Sequence, residues 1–184
     1  MKIKIKVSFA ILSVSVTLFG ACASQSSTQM RNEKNSATNQ THQGHGDHLA
    51  QVNERGDTAM GFSHQKTTHR FRLLADGGAI EVTANDASDA ESRDQIRQHF
   101  GHITQMFSGG NFEAPMLTHG KTPPGVSVLQ KLKAEINYQY EEIERGGRVR
   151  ITTDNKEALA ATHEFLRFQI ADHQTGDSTE IEKL

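Results

Sequence analysis

Apolar and polar residues alternate strictly in two separate pairs of short segments. Over residues 69–73, His69, Phe71 and Leu73 fall on one side and Arg70 and Arg72 on the other. After Asp76-Gly77-Gly78 the return segment sets Ile80 and Val82 against Glu81 and Thr83. A period of two marks a strand with one buried face, so the spacing predicts a hairpin. The period then becomes helical: Ile96, Phe100, Ile103 and Phe107 recur three and four residues apart, which predicts a long amphipathic helix. Ser88 with Glu91 has the form of a capping box at its start, and Gly109-Gly110 a stop at its end. A diverged copy follows over residues 137–173. Ile136, Tyr138 and Tyr140 alternate with Glu135, Asn137, Gln139 and Glu141, the chain turns at Arg145-Gly146-Gly147, and Val149 and Ile151 alternate with Arg148 and Arg150. Asp154 with Glu157 opens a last helix bearing Leu159, Phe165, Leu166, Phe168 and Ile170, with Gly176 as its stop. Between the copies, Thr122 is placed to cap a short helix that has Pro123 at its first position.

Two hairpins with one apolar face each, and two helices with one apolar stripe each, satisfy one another as two stacked layers. The expected fold is therefore α+β: a four-stranded, mostly antiparallel sheet with both long helices on one face, in ββαββα order. Arg70, Arg72, Glu81, Glu135, Glu141, Arg148 and Arg150 should form a charge-paired, solvated surface on the other face.

The first third of the chain is organised differently. Lys2, Lys4 and Lys6, an uncharged run over residues 7–19 and then Gly20-Ala21-Cys22-Ala23 make the three parts of an export signal, and the run is shorter than the ~20 residues that span a bilayer. Leu18-Phe19-Gly20-Ala21-Cys22 resembles the lipobox of bacterial lipoproteins, with Phe19 where leucine is usual. That resemblance implies lipidation of Cys22, and Ser24 after it favours the outer membrane where a cell has one. Cleavage after Ala21-Cys22-Ala23 is the alternative. Polar residues without periodicity follow. The expected organisation is a signal peptide at 1–21, a disordered His-containing tether at 22–57, a domain at 58–177 and a flexible tail at 178–184, with the protein facing the periplasm or cell exterior.

Charge and cysteine content narrow the partners. The chain has 20 Lys and Arg against 22 Asp and Glu; without the three leader lysines the count is 17 against 22, a formal charge of −5. An acidic domain without a basic cluster is a poor match for nucleic acid. Cys22 is the only cysteine, so the domain has no internal disulfide.

Candidate chemistry rests on ten histidines. His42, His45 and His48 are regularly spaced around Gly44, Gly46 and Asp47, a flexible arrangement of neutral imidazoles suited to copper or zinc, though such tracts also occur as solvated low-complexity sequence. His64 precedes the first strand and His69 ends its apolar face, as a ligand or as a cap on the core. His99, His102 and Met106 flank the stripe of the first long helix, where the second copy has Glu164, Arg167 and Ala171, so this flank is the unrepeated part of the duplication. Met116 and His119 lie in an irregular connection. With Met60 they complete a set of borderline and soft donors. No H-E-x-x-H, paired cysteine, G-x-S-x-G elbow, P-loop or dinucleotide fingerprint is present, so no catalytic residue is assigned. The first expectation is a membrane-anchored extracytoplasmic protein that binds or buffers copper or zinc; the alternative is a non-catalytic module for a protein partner or small ligand.

The segments M-G-F, T-T-H-x-F, A-D-G-G-A-I-E-V, A-P-M, T-P-P-G-V, R-V-R-I-T-T and F-L-R-F-Q-I-x-D-H together resemble a family of small, largely uncharacterised exported bacterial proteins. The resemblance spans residues 60–177. Some of its members carry an aspartate carbamoyltransferase label. Those transferases resemble one another in an S-T-R-T phosphate-binding motif and a doubled α/β architecture of much greater length, and this chain has neither. The resemblance thus implies the domain limits and leaves the function to the residues.

Overall fold

A computed structural model describes the backbone of residues 33–182 and the side chains of residues 46–182. Strands β1 (Thr67–Leu74) and β2 (Gly77–Ala84) form the first hairpin, and β3 (Asn137–Ile143) and β4 (Gly146–Thr152) the second. The hairpins join through β2 and β4, which gives the order β1-β2-β4-β3 with every neighbouring pair antiparallel. Two long helices, α2 (Ala90–Ser108) and α5 (Lys156–His173), bury their stripes with the inner sheet face in one core that includes Phe71, Val82, Ile96, Phe100, Val149 and Phe165. The α+β expectation is met. Each helix crosses to the other unit's hairpin: α2 packs mainly on β3 and β4, α5 on β1 and β2. On the outer face, Arg148 donates to Glu81 at 2.7 Å and to Glu141 at 2.9 Å.

The Gly-Gly pairs are not the hairpin turns. They open β2 and β4 and lie at opposite ends of the seam between those strands, Gly77 facing Thr152 and Gly146 facing Thr83. A Cβ on Gly77 would overlap the Ile151 carbonyl oxygen, and one on Gly146 the Val82 carbonyl oxygen. The second glycines admit the helices, with Leu166 of α5 over Gly78 and Phe100 of α2 over Gly147.

Several boundaries differ from the sequence reading. Asp89, not Ser88, caps α2, accepting from the Ser92 backbone N–H at 3.0 Å and its hydroxyl at 2.8 Å. Asn155, not Asp154, caps α5, which ends at Gln174 in the left-handed conformation rather than at Gly176. The 112–125 connection contains a helix, α3 (Glu113–His119), and the following α4 (Val126–Lys131) is capped by Gly125 instead of Thr122.

The two ends depart most. Helix α1 (Glu33–Met60) occupies residues 33–57 that were expected to lack regular structure. Leu49, Val52, Gly56 and Met60 recur at helical spacing, and this thin stripe is what seats it. Val52 is fully buried, and Arg55 donates to the Thr118 carbonyl at 2.9 Å. The expected free tail instead runs along β1. Glu182 pairs in parallel with Leu74, its N–H donating to the Leu73 carbonyl at 2.8 Å, and Asp177 accepts from the Phe71 N–H at 2.9 Å. These bonds satisfy an edge strand that would otherwise present unpaired groups. The expected signal peptide, residues 1–21, and Cys22 lie outside the described residues, and no helix among the described residues is long and apolar enough to cross a membrane.

Gly146→Ala should lower stability by about 1–3 kcal/mol, because the clash is with backbone that cannot swing aside. Gly101→Ala, in the middle of α2 with open space around it, should raise stability by about 0.5–1 kcal/mol. Urea denaturation midpoints of the two variants test the contrast.

Candidate functional site

Five elements end, or turn a flank, toward one place. Met60 is the last residue of α1, His69 sits on the inner face of β1, His99 on the flank of α2, His119 closes α3, and Gln169 and His173 lie in the last turns of α5. Gln169 and His173 follow Phe165 at four-residue steps, so they continue the buried stripe of α5 with polar groups. They face an inner cavity of about 70 Å³, together with Met60, His69, His99 and His119. That is under half of the ~150 Å³ that admits benzene. An outer cavity of about 260 Å³ shares Met60, His69 and His173 as a wall and adds His64.

The imidazoles are packed as aromatic rings. His69 and His173 are nearly parallel with centroids 5.5 Å apart, His119 meets His173 edge-on at 4.9 Å, and Phe62 lies against His69 at 6.0 Å and against His99 at 5.7 Å. His69 Nε2 is 3.4 Å from the Met60 sulfur. Burial holds these rings neutral: it is the largest cause that lowers His69 to about 4, His99 to about 4 and His173 to about 3, and the neighbouring imidazoles add to it.

Two carboxylates orient the rest. Asp172 meets three donors: His119 Nδ1 at 2.5 Å, His48 Nε2 at 3.0 Å and Lys121 Nζ at 3.6 Å. Burial opposes its charge, but the bonds from His48 and His119 outweigh that and leave its pKa below the usual carboxylate value. Asp57 contacts His64 Nδ1 at 2.9 Å, which directs the other ring nitrogen away from the carboxylate. His119 Nε2 lies 2.9 Å from the Gln169 amide oxygen, and the Gln169 nitrogen is buried without a partner. Reversing the amide only exchanges the two atoms, so one polar atom of Gln169 is left for an occupant in either orientation.

Of the residues singled out in the sequence, His64, His69, His99 and His119 line the two cavities. His48 is engaged by Asp172 instead, His102 is exposed, Met106 packs against the core and Met116 lies on the surface at 36% exposure. The side chains of His42 and His45 lie outside the described residues. Sequence reasoning missed His173, Gln169 and Asp172. The available signal was the polar i, i+4 continuation of the Phe165 stripe. Among the described residues no three His, Cys, Asp or Glu side chains converge as a ready ligand set. Comparison with protein-family models, curated proteins and solved structures yields no match.

The lowered imidazoles tie stability to pH. In the unfolded chain all three titrate near 6.5, so between 6.5 and about 4 unfolding takes up protons that the folded state does not bind. Stability should hold above pH 6.5 and fall as the pH drops toward 4, by up to about 1.4 kcal/mol per pH unit for each histidine. Urea unfolding at pH 7.5 and 5 measures the slope, and His173→Phe should remove one histidine's share of it.

Proposed function

We propose that the chain is a lipid-anchored extracytoplasmic binding protein whose domain takes up a transition metal, copper or zinc, in the imidazole-walled cavities. One observation carries this reading: five histidines distant in sequence, His64, His69, His99, His119 and His173, surround two cavities that share the Met60 thioether in their common wall. Imidazole and thioether are donors to borderline and soft ions. His64 borders the larger cavity, and Asp57 behind His64 is the carboxylate partner that metal-bound imidazoles use to fix their orientation. The His42, His45 and His48 tract would add a further capture site, of which His48 is held by Asp172. Anchoring follows from the lipobox-like segment that ends at Cys22.

A small organic ligand is the second reading, favoured by the orphaned amide atom of Gln169 facing a mostly apolar cavity. Such a ligand would have few heavy atoms and one group to pair with that amide.

Metal content of the full-length protein purified in detergent tests the reading. About one equivalent of copper or zinc should survive desalting, and His69→Gln should lose it; metal retained unchanged in His69→Gln would refute the pocket assignment. For the anchor, Cys22→Ala should abolish incorporation of labelled palmitate in cells and release the protein from the membrane fraction.

A further inference from the structure

We infer that the inner cavity is a cuprous-ion site whose two primary ligands are the Met60 thioether sulfur and His69 Nε2. This inference rests on the metal-binding reading and narrows it to one ion, one oxidation state and one ligand pair. The two donor atoms are 3.4 Å apart. An ion bonded to both at the ~2.0–2.3 Å usual for nitrogen and sulfur donors would subtend roughly 105° between them, the angle of a near-tetrahedral ion with further positions open to cavity-lining donors such as His173. The contact has two uses. With the ring proton on Nε2 it is an N–H to sulfur hydrogen bond, and with the proton on Nδ1 the lone pair and the sulfur face the same point.

The donor set selects the ion. A thioether is a soft ligand that favours Cu(I), whereas zinc is served by thiolate, imidazole and carboxylate in four-coordinate sites. The His69 and His173 rings are nearly parallel with centroids 5.5 Å apart, and both border the cavity. The surroundings suit the same ion: Phe62 and Phe71 lie 6.0 and 6.3 Å from the His69 ring, and the cavity has room for little beyond the ion itself. Met60 ends α1 and is followed by Gly61 at φ 79°, so the sulfur ligand sits where the helix breaks.

The test uses the full-length protein in detergent under anaerobic conditions, with His42→Gln and His45→Gln to silence the tract. Cu(I) is supplied as its bicinchoninate complex, and Zn(II) is titrated separately. One equivalent of Cu(I) should be withdrawn from bicinchoninate, and Met60→Leu, which preserves volume, should weaken this at least tenfold with zinc binding unchanged. X-ray absorption at the copper edge of selenomethionine-labelled protein should show a copper–selenium distance that disappears in Met60→Leu, and an unchanged urea midpoint for that variant separates ligand loss from misfolding. Copper bound without a selenium neighbour, or with equal affinity in Met60→Leu, overturns the inference and leaves the broader metal reading standing. Failure to bind either Cu(I) or Zn(II) overturns both.

Discussion

How closely the two helices approach the seam between β2 and β4 sets the rest of the architecture. Gly77 and Gly146 let the central strands pair where a side chain would strike a carbonyl oxygen, and Gly78 and Gly147 give Leu166 and Phe100 a flat surface to rest on. Glycine weakens a strand taken alone, through backbone entropy and the lost side chain. Here that loss is offset by two large side chains that each gain full burial, at ~1.5–3 kcal/mol apiece. Because every helix leans on the glycines of the hairpin it did not grow from, neither ββα unit completes its core without the other.

The local periodicities were legible from sequence, and so was the layer arrangement they imply. Helix caps were misplaced by a residue where acceptors stand in a row, as at Ser88-Asp89 and Asp154-Asn155, since several neighbours can serve and geometry chooses among them. The crossing of the helices was not legible, because strand order depends on which hairpin edges meet. Helix α1 and the C-terminal segment were hidden for a different reason: a few anchoring residues, Val52 and Glu182 among them, fix long polar stretches whose composition reads as unstructured.

The site shows the same division. His64, His69, His99 and His119 were marked by residue type and position, but comparing the two copies drew attention to the middle of α2 and away from the end of α5. In the same alignment Gln169, Asp172 and His173 fall opposite Thr104, Phe107 and Ser108, differences at least as large as those on the α2 flank. Asp172 links three elements at once, receiving His48 from α1, His119 from α3 and Lys121 from the following turn. One carboxylate thereby sets the distance between the first helix and the pocket it borders, and the chain keeps that negative charge mostly covered only because three donors meet it.

The contacts of Asp177 and Glu182 with β1 also bear on how copies of the sheet could add to one another. A four-stranded open sheet has two edges through which copies of itself can add. Asp177 and Glu182 cover part of the β1 edge, which leaves β3 as the more open edge among the described residues. A body with one such edge can pair with a second copy, after which both edges are used and growth stops. Removing the Asp177 and Glu182 contacts would open the β1 edge as well, and a sheet open at both edges is what a filament needs.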